Sequence, residues 1–178
     1  TTSLAARRRY AGLKFTDADE PGVLTASGIE TVRRNVCGLA KQIVEHSLDA
    51  LLVRRDEAAA IEYVKARIGA LVRNEVDMSD LVVSTGLQRA PEDYAETTKL
   101  AHVELVKRMR KRSCEQAAYK AGDRVSMVMV GAAKRAKNFE RSEDPTYALE
   151  HGLAPDAQWY LEHQLAEPIR RIFEPILG

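Results

Sequence analysis

"RRRYAGLKFTDADEPGVLTASGIE", Arg7 to Glu30, decides how the fold begins. Three guanidinium groups lead into Tyr10 and a β-leaning run, "YAGLKFT". "DADEPG" then places Pro21 and Gly22 where an extended chain breaks, and "VLTASGIE" returns as a second extended piece. Two extended runs around a Pro-Gly break predict a β-hairpin. From about Arg33 the apolar spacing becomes helical, with Leu39, Ile43, Val44, Leu48, Leu51 and Leu52 on one stripe that runs to "RRD". Asp56 reads as the N-cap of a second helix whose apolar face is Ile61, Val64, Ile68, Leu71 and Val72.

Further along, "DLVVSTGL" predicts a short strand closed by Gly86, and "QRAPEDYAETT" is polar and loop-like. A third helix is expected from about Lys99, with Leu100, Val103, Val106 and Met109 on its apolar side. Lys107 with Lys111, and Arg108 with Arg112, repeat at a spacing of four and stack cations along that helix. "AGDRVSMVMVGA" predicts a strand led in by a turn at Gly122 and Asp123. A closing helix is expected from about Asp156, striped by Leu161, Leu165, Ile169, Ile172, Phe173 and Ile176 and kinked at Pro168, which has no backbone N–H. The order predicts an α+β fold, mainly helical, without internal repeats or low-complexity linkers. The chain begins on a strand with nothing before it to pair with and stops just after "FEPILG", so both ends read as cut.

With 178 residues, 45% of them hydrophobic, the chain can bury a sizeable core, which sets disorder aside. No apolar run approaches the ~20 residues that span a bilayer, and the start lacks the apolar core of a secretory signal, so no membrane partner is expected. Cys37 and Cys114 are far apart and outside any CxxC pairing, which predicts two free thiols and a cytosolic or nuclear setting. The net charge of +1 conceals segregation. Residues 1–14 carry four cations and no acid; "KLAHVELVKRMRKR" (99–112) carries six cations against one carboxylate, and "KRAKNFER" (134–141) four against one. From Ser142 to Glu167 there are six carboxylates and no Lys or Arg. Such a chain is suited to hold a polyanion on one surface and keep it off another, whereas any single run read alone is a solvated helix face.

No phosphate loop, metal-ligand spacing or nucleophile–base pair stands out. His46, His102, His151 and His163 show no HxxxH or HExxH spacing, and His102 and Glu104 fall on different helical faces. Glu143 and Asp144 in "SEDPTY" are adjacent and read as turn and N-cap residues.

Taken in order, "RRRYAGLKF", "GIETVRRNVC", "DLVVSTGL", "AHVELVKRMRKR", "GDRVSMVMV", "SEDPTYALE" and "WYLEHQLAEPIRRIFEPILG" resemble the delta-type catalytic subunits of eukaryotic replicative family B DNA polymerases, across essentially Arg7 to Gly178. The resemblance implies a palm-edge hairpin over residues 1–32 and a helical thumb with short strands over 33–178. It places the polymerase aspartates upstream of the basic motif and outside this chain, so the parent would be a magnesium-dependent nucleotidyltransferase while this piece holds no catalytic residue or cofactor. Its implied partners are primer–template duplex DNA and, for the parent, deoxynucleoside triphosphates, a sliding clamp and accessory subunits, in the nucleus.

The basic motif of the family lies beside the nascent duplex, which would put Arg7, Arg8, Arg9 and Tyr10 there; Tyr10 reads equally well as a core anchor behind the hairpin. Arg33 and Arg34 resemble a second element that approaches the minor groove near the primer end. Correct base pairs all present acceptors there, purine N3 and pyrimidine O2, so cationic donors sense correct pairing without reading sequence. Lys107, Arg108, Lys111, Arg112, Lys134 and Lys137 are candidates for phosphate contacts, which position a duplex but specify nothing. The chain departs from the family pattern in carrying arginine where a lysine pair is usual, and Asn35 and Val36 where aspartate and asparagine usually follow "VRR". The alternative is a protein-interaction module, in which the basic helix near Arg108 and the acidic segment 142–167 bind replication partners.

Overall fold

The computed structural model describes residues 3–6, 9–14, 23–27, 35–112 and 118–177. These gather into two compact units, residues 1–75 with 161–178, and residues 76–160.

The first unit opens with a three-stranded antiparallel sheet: β1 (Ser3–Ala6), β2 (Arg9–Lys14) and β3 (Val23–Ser27), in that spatial order. The expected hairpin is β2–β3, in register at Gly12↔Thr25. The expectation that nothing precedes it is corrected, because Ser3↔Gly12 through Ala6↔Arg9 add a third strand. "SLAA" has no alternation to announce a strand; pairing with the exposed edge of β2 supplies what propensity does not.

The first helical stripe forms α1 (Gly38–Leu48), which passes into a π-helical turn, Asp49–Arg54. Leu39, Ile43, Val44, Leu48 and Leu52 of that stripe are buried. Arg55 ends the π turn in a left-handed conformation, φ 56°, and Asp56 caps α2 (Glu57–Val72) by accepting from Ala59 N at 2.9 Å. Val64 and Leu71 of the expected α2 face are buried, but Val72 is 62% exposed because it sits at the helix end. Arg67 ties α2 to α1 by donating to Gln42 Oε1 at 2.9 Å. Cys37, a buried free thiol, heads α1, and its N–H is satisfied by Gln164 Oε1 at 3.0 Å. Cys114 lies outside the described residues.

The second unit starts with α3 (Met78–Leu81) and β4 (Val83–Gly86), followed by α4 (Ala101–Arg112) and β5 (Arg124–Met129). Gly122, at φ 92°, makes the expected turn, and its N–H and carbonyl neighbours extend the β4–β5 ladder through Leu87. Short pieces follow: α5 (Asn138–Arg141), β6 (Ser142–Glu143), α6 (Pro145–Glu150) and α7 (Ala157–Tyr160). The sheet order is β4-β5-β6, antiparallel, with Val83↔Met127 and Val128↔Glu143 in register. Val125, Met127, Val128 and Met129 of β5 are buried, in keeping with its nearly continuous apolar run. Along α4, Val103 and Val106 are buried as expected; so is Leu105, while Leu100 is 40% exposed just before the helix starts.

The expected closing helix is not one helix. After α7 the chain makes a π-helical turn, Leu161–Leu165, and continues as α8 (Ala166–Leu177) in the first unit. Pro168 lies in the first turn of α8, so the anticipated kink takes the form of a wider turn just before the ring that lacks a donor. Among the described residues no helix is long and apolar enough to cross a membrane.

Candidate nucleic-acid interface

On α4 a spacing of four places Arg108 with Arg112 and Lys107 with Lys111, and the structure gives the two pairs different work. Arg108 turns inward. It donates to Phe139 O at 2.7 Å, to Ser142 O, and to Ser142 Oγ at 3.2 Å, which fastens α4 to α5 and β6. Burial, foremost, lowers the pKa of its guanidinium, while the Glu143 carboxylate pulls the other way. Arg112 binds Glu143 with two parallel bonds of 2.8 and 3.0 Å. Hydrogen bonding to Glu143 raises the Arg112 pKa. The guanidinium carbon of Arg112 also lies 3.9 Å from the centre of the Tyr147 ring, and His151 stacks on that ring at 3.8 Å. A fork of planar donors suits these carbonyl and carboxylate partners better than an ammonium would.

Lys107 is half-buried and reaches Glu104 Oε1 at 3.3 Å, while Lys99 lies 3.7 Å from the other oxygen of Glu104. Arg110 joins Glu92 at 3.0 Å and Tyr119 O at 3.2 Å. Lys111 is exposed and has no ion-pair partner among the described residues. The arginines of the basic helix and Lys107 thus bond to protein groups, and Lys111 is presented to solvent.

His102 sits on the same helix, and desolvation lowers its pKa below the ordinary 6.5. A histidine depressed in the folded state favours unfolding as it takes up a proton, so its contribution is intact above about pH 6.5 and is lost as pH falls towards the folded-state value. His102→Gln is expected to flatten the acid side of a stability-against-pH curve measured by urea denaturation. An unchanged acid limb would show that His102 is not its source.

Lys134 and Lys137 lie in the segment that joins β5 to α5, and both are exposed, as is Arg135 between them. Arg141, at the end of α5, holds this segment from inside: its Nε is 3.1 Å from Ala136 O, and its Nη2 is 3.1 Å from Ala133 O and 3.5 Å from Lys134 O. Its other arm pairs with Asp156, and both side chains are 13% exposed. The second oxygen of Asp156 caps α7 at Trp159 N, 3.0 Å away.

Asp144 caps α6 through Tyr147 N at 2.9 Å with Pro145 in the first turn, as expected, whereas Glu143, expected as a turn or N-cap residue, lies in β6 and is taken by Arg112. No group of three or more His, Cys, Asp or Glu among the described residues is placed to hold a metal ion.

Of the sequence candidates, Arg108, Lys107, Lys111, Arg112, Lys134 and Lys137 belong to one unit, residues 76–160, and the bonds from Arg108 to Phe139 and Ser142 join the helix to the loop-bearing segment. Arg9 and Tyr10 lie on β2, paired with Ala6 and Ala5, and their side chains are outside the described residues. Arg7, Arg8, Arg33 and Arg34 are outside them altogether. Arg135 and Arg141 were not singled out by sequence. The first shares the basic run with Lys134, which was signal enough; the second is defined by a partner fifteen residues away, which spacing cannot show.

Comparison with known proteins gives one consistent result. The family model described as DNA polymerase family B matches residues 2–176. Among curated proteins, the DNA polymerase delta catalytic subunit of Oryza sativa subsp. japonica is 49% identical over 174 residues, which is 98% of this chain and 16% of that protein. The subunits of the same name from Mesocricetus auratus and Schizosaccharomyces pombe are 47% and 43% identical, over 98% of this chain and 16% of each. The chain thus spans about a sixth of the length of these relatives. A solved family B DNA polymerase from the archaeon Pyrobaculum calidifontis superposes with a TM-score of 0.70 at 24% identity, over 98% of this chain and 21% of that one, a likeness of fold.

Proposed function

Because the chain belongs to DNA polymerase family B, we propose that it is the part of a replicative DNA-directed DNA polymerase that grips newly made primer–template duplex. On this reading residues 1–32 are the edge of the palm and residues 33–178 the thumb. The observation that carries it is the sorting of cations in residues 76–160. Arg108, Arg112 and Arg141 are consumed by internal carbonyls and carboxylates, whereas Lys111, Lys134, Arg135 and Lys137 are exposed without ion-pair partners among the described residues. The arginines bonded to the protein set the surface, and the exposed cations without ion-pair partners meet phosphates, holding the duplex irrespective of sequence. Arg7 to Tyr10, with Arg33 and Arg34, face the minor groove near the primer end, where a mispair displaces the acceptors that every correct pair offers.

Magnesium, deoxynucleoside triphosphates, the sliding clamp and the accessory subunits belong to the whole polymerase, acting in the nucleus. These 178 residues alone carry no nucleotidyl transfer. The test is single-encounter primer extension by the full-length subunit carrying Arg33→Ala, Arg34→Ala or Lys111→Ala. Each is expected to speed release from the primer end by about two- to tenfold, the worth of one polar contact, and to shorten the products accordingly. Unchanged processivity in all three would refute the reading, and salt-insensitive binding of a replication protein to this region would replace it with an interaction module.

A further inference from the structure

We infer that Arg141 is a positioning residue for phosphate binding, which folds the segment from Gly131 to Lys137 into a preformed cationic loop without touching the nucleic acid itself; this rests on the duplex-gripping function proposed above. The segment, "GAAKRAK", has no side chain larger than alanine to bury, so apolar packing cannot order it. Its backbone is ordered all the same. Val130 N donates to Arg141 O at 2.9 Å and Gly131 N to Ala154 O at 3.0 Å, which closes the entry. Ala136 N donates to Ala133 O at 2.8 Å, making a turn inside the loop, and Lys137 N donates to Glu140 Oε2 at 2.6 Å, which closes the exit. Within that frame the carbonyls of Ala133, Lys134 and Ala136 converge on one guanidinium.

Asp156 neutralises Arg141, and both are largely buried, so the pair adds shape to the surface and not charge. The shape it produces has Lys134, Arg135 and Lys137 all directed to solvent. Cations fixed before binding lose less freedom when they meet phosphates than cations on a loose loop, so the same charges bind more tightly. Arginine is required for this because its planar fork serves the carbonyls and the carboxylate together, and an ammonium has neither the reach nor the geometry.

The experiment compares the full-length subunit with its variants Arg141→Lys, Lys134→Ala/Arg135→Ala/Lys137→Ala, and the two sets combined. Binding to a fluorescent primer–template duplex is read by anisotropy, and trypsin cleavage after Lys134, Arg135 and Lys137 is followed in the variants that keep those residues. Arg141→Lys preserves the net charge and an ion pair with Asp156. It is expected to weaken duplex binding roughly three- to tenfold at about 0.1 M salt and to speed cleavage in the loop. In the combined variant the lysine substitution should weaken binding no further. Unaltered binding and cleavage in Arg141→Lys, or a loss that persists in full in the combined variant, would overturn the inference. Duplex binding undiminished by the triple alanine variant would overturn it while leaving the other cations of the gripping surface in place. Absence of duplex binding by the unsubstituted full-length subunit would remove the proposed function, and this inference with it.

Discussion

Asp156→Ala should lower the stability of the 76–160 unit by about 3–5 kcal/mol, the cost of leaving a buried charge without its partner. The Arg141–Asp156 pair is shielded on both sides, and one carboxylate oxygen also caps α7, so the substitution removes an ion pair and a cap together. Urea denaturation followed by the single tryptophan reads the loss directly, since Trp159 is 8% exposed and three residues from the substitution. Asp156→Asn keeps an acceptor for Trp159 N and should cost clearly less. Loss of under about 1 kcal/mol in the alanine variant would mean that water replaces Asp156 easily and that the loop is not held as described.

Tyr160→Phe is expected to cost about 2–4 kcal/mol although it removes a single oxygen. Tyr160 is fully buried, and its hydroxyl donates to Leu81 O at 2.7 Å while accepting from Met129 N at 3.0 Å. Leu81 ends α3 and Met129 ends β5, so one hydroxyl satisfies backbone groups of two elements far apart in sequence. Phenylalanine fills nearly the same volume, and the loss is therefore the price of two orphaned backbone groups rather than of a cavity. A change within about 0.5 kcal/mol would show that packing alone anchors Tyr160.

Much of this was legible in the residues. The Pro-Gly break gave β2 and β3, the apolar period gave the main helices, and the Asp56 and Asp144 caps followed from their positions ahead of helical runs. The strand β1 was not legible, because "SLAA" becomes a strand only through its neighbour. The π-helical turns were not either: they share composition with α-helix and differ only in which carbonyl each N–H meets. In the candidate interface, a spacing of four showed that Arg108 and Arg112 share a face of α4 but not that both bond to the protein, one to Phe139 and Ser142 and the other to Glu143. Arg141 lay inside a quoted basic run, and its role depends on Asp156 and three carbonyls that only the fold brings together.

The central claim, that this chain grips duplex DNA through its exposed cations, is tested most directly by anisotropy of a fluorescent primer–template duplex against the 178-residue chain over a series of salt concentrations, with a single strand as control. The account predicts preference for the duplex and a slope of log affinity against log salt near −5, as about six neutralised phosphates would give. No binding at low salt, or binding that is indifferent to salt and to strandedness, would contradict it.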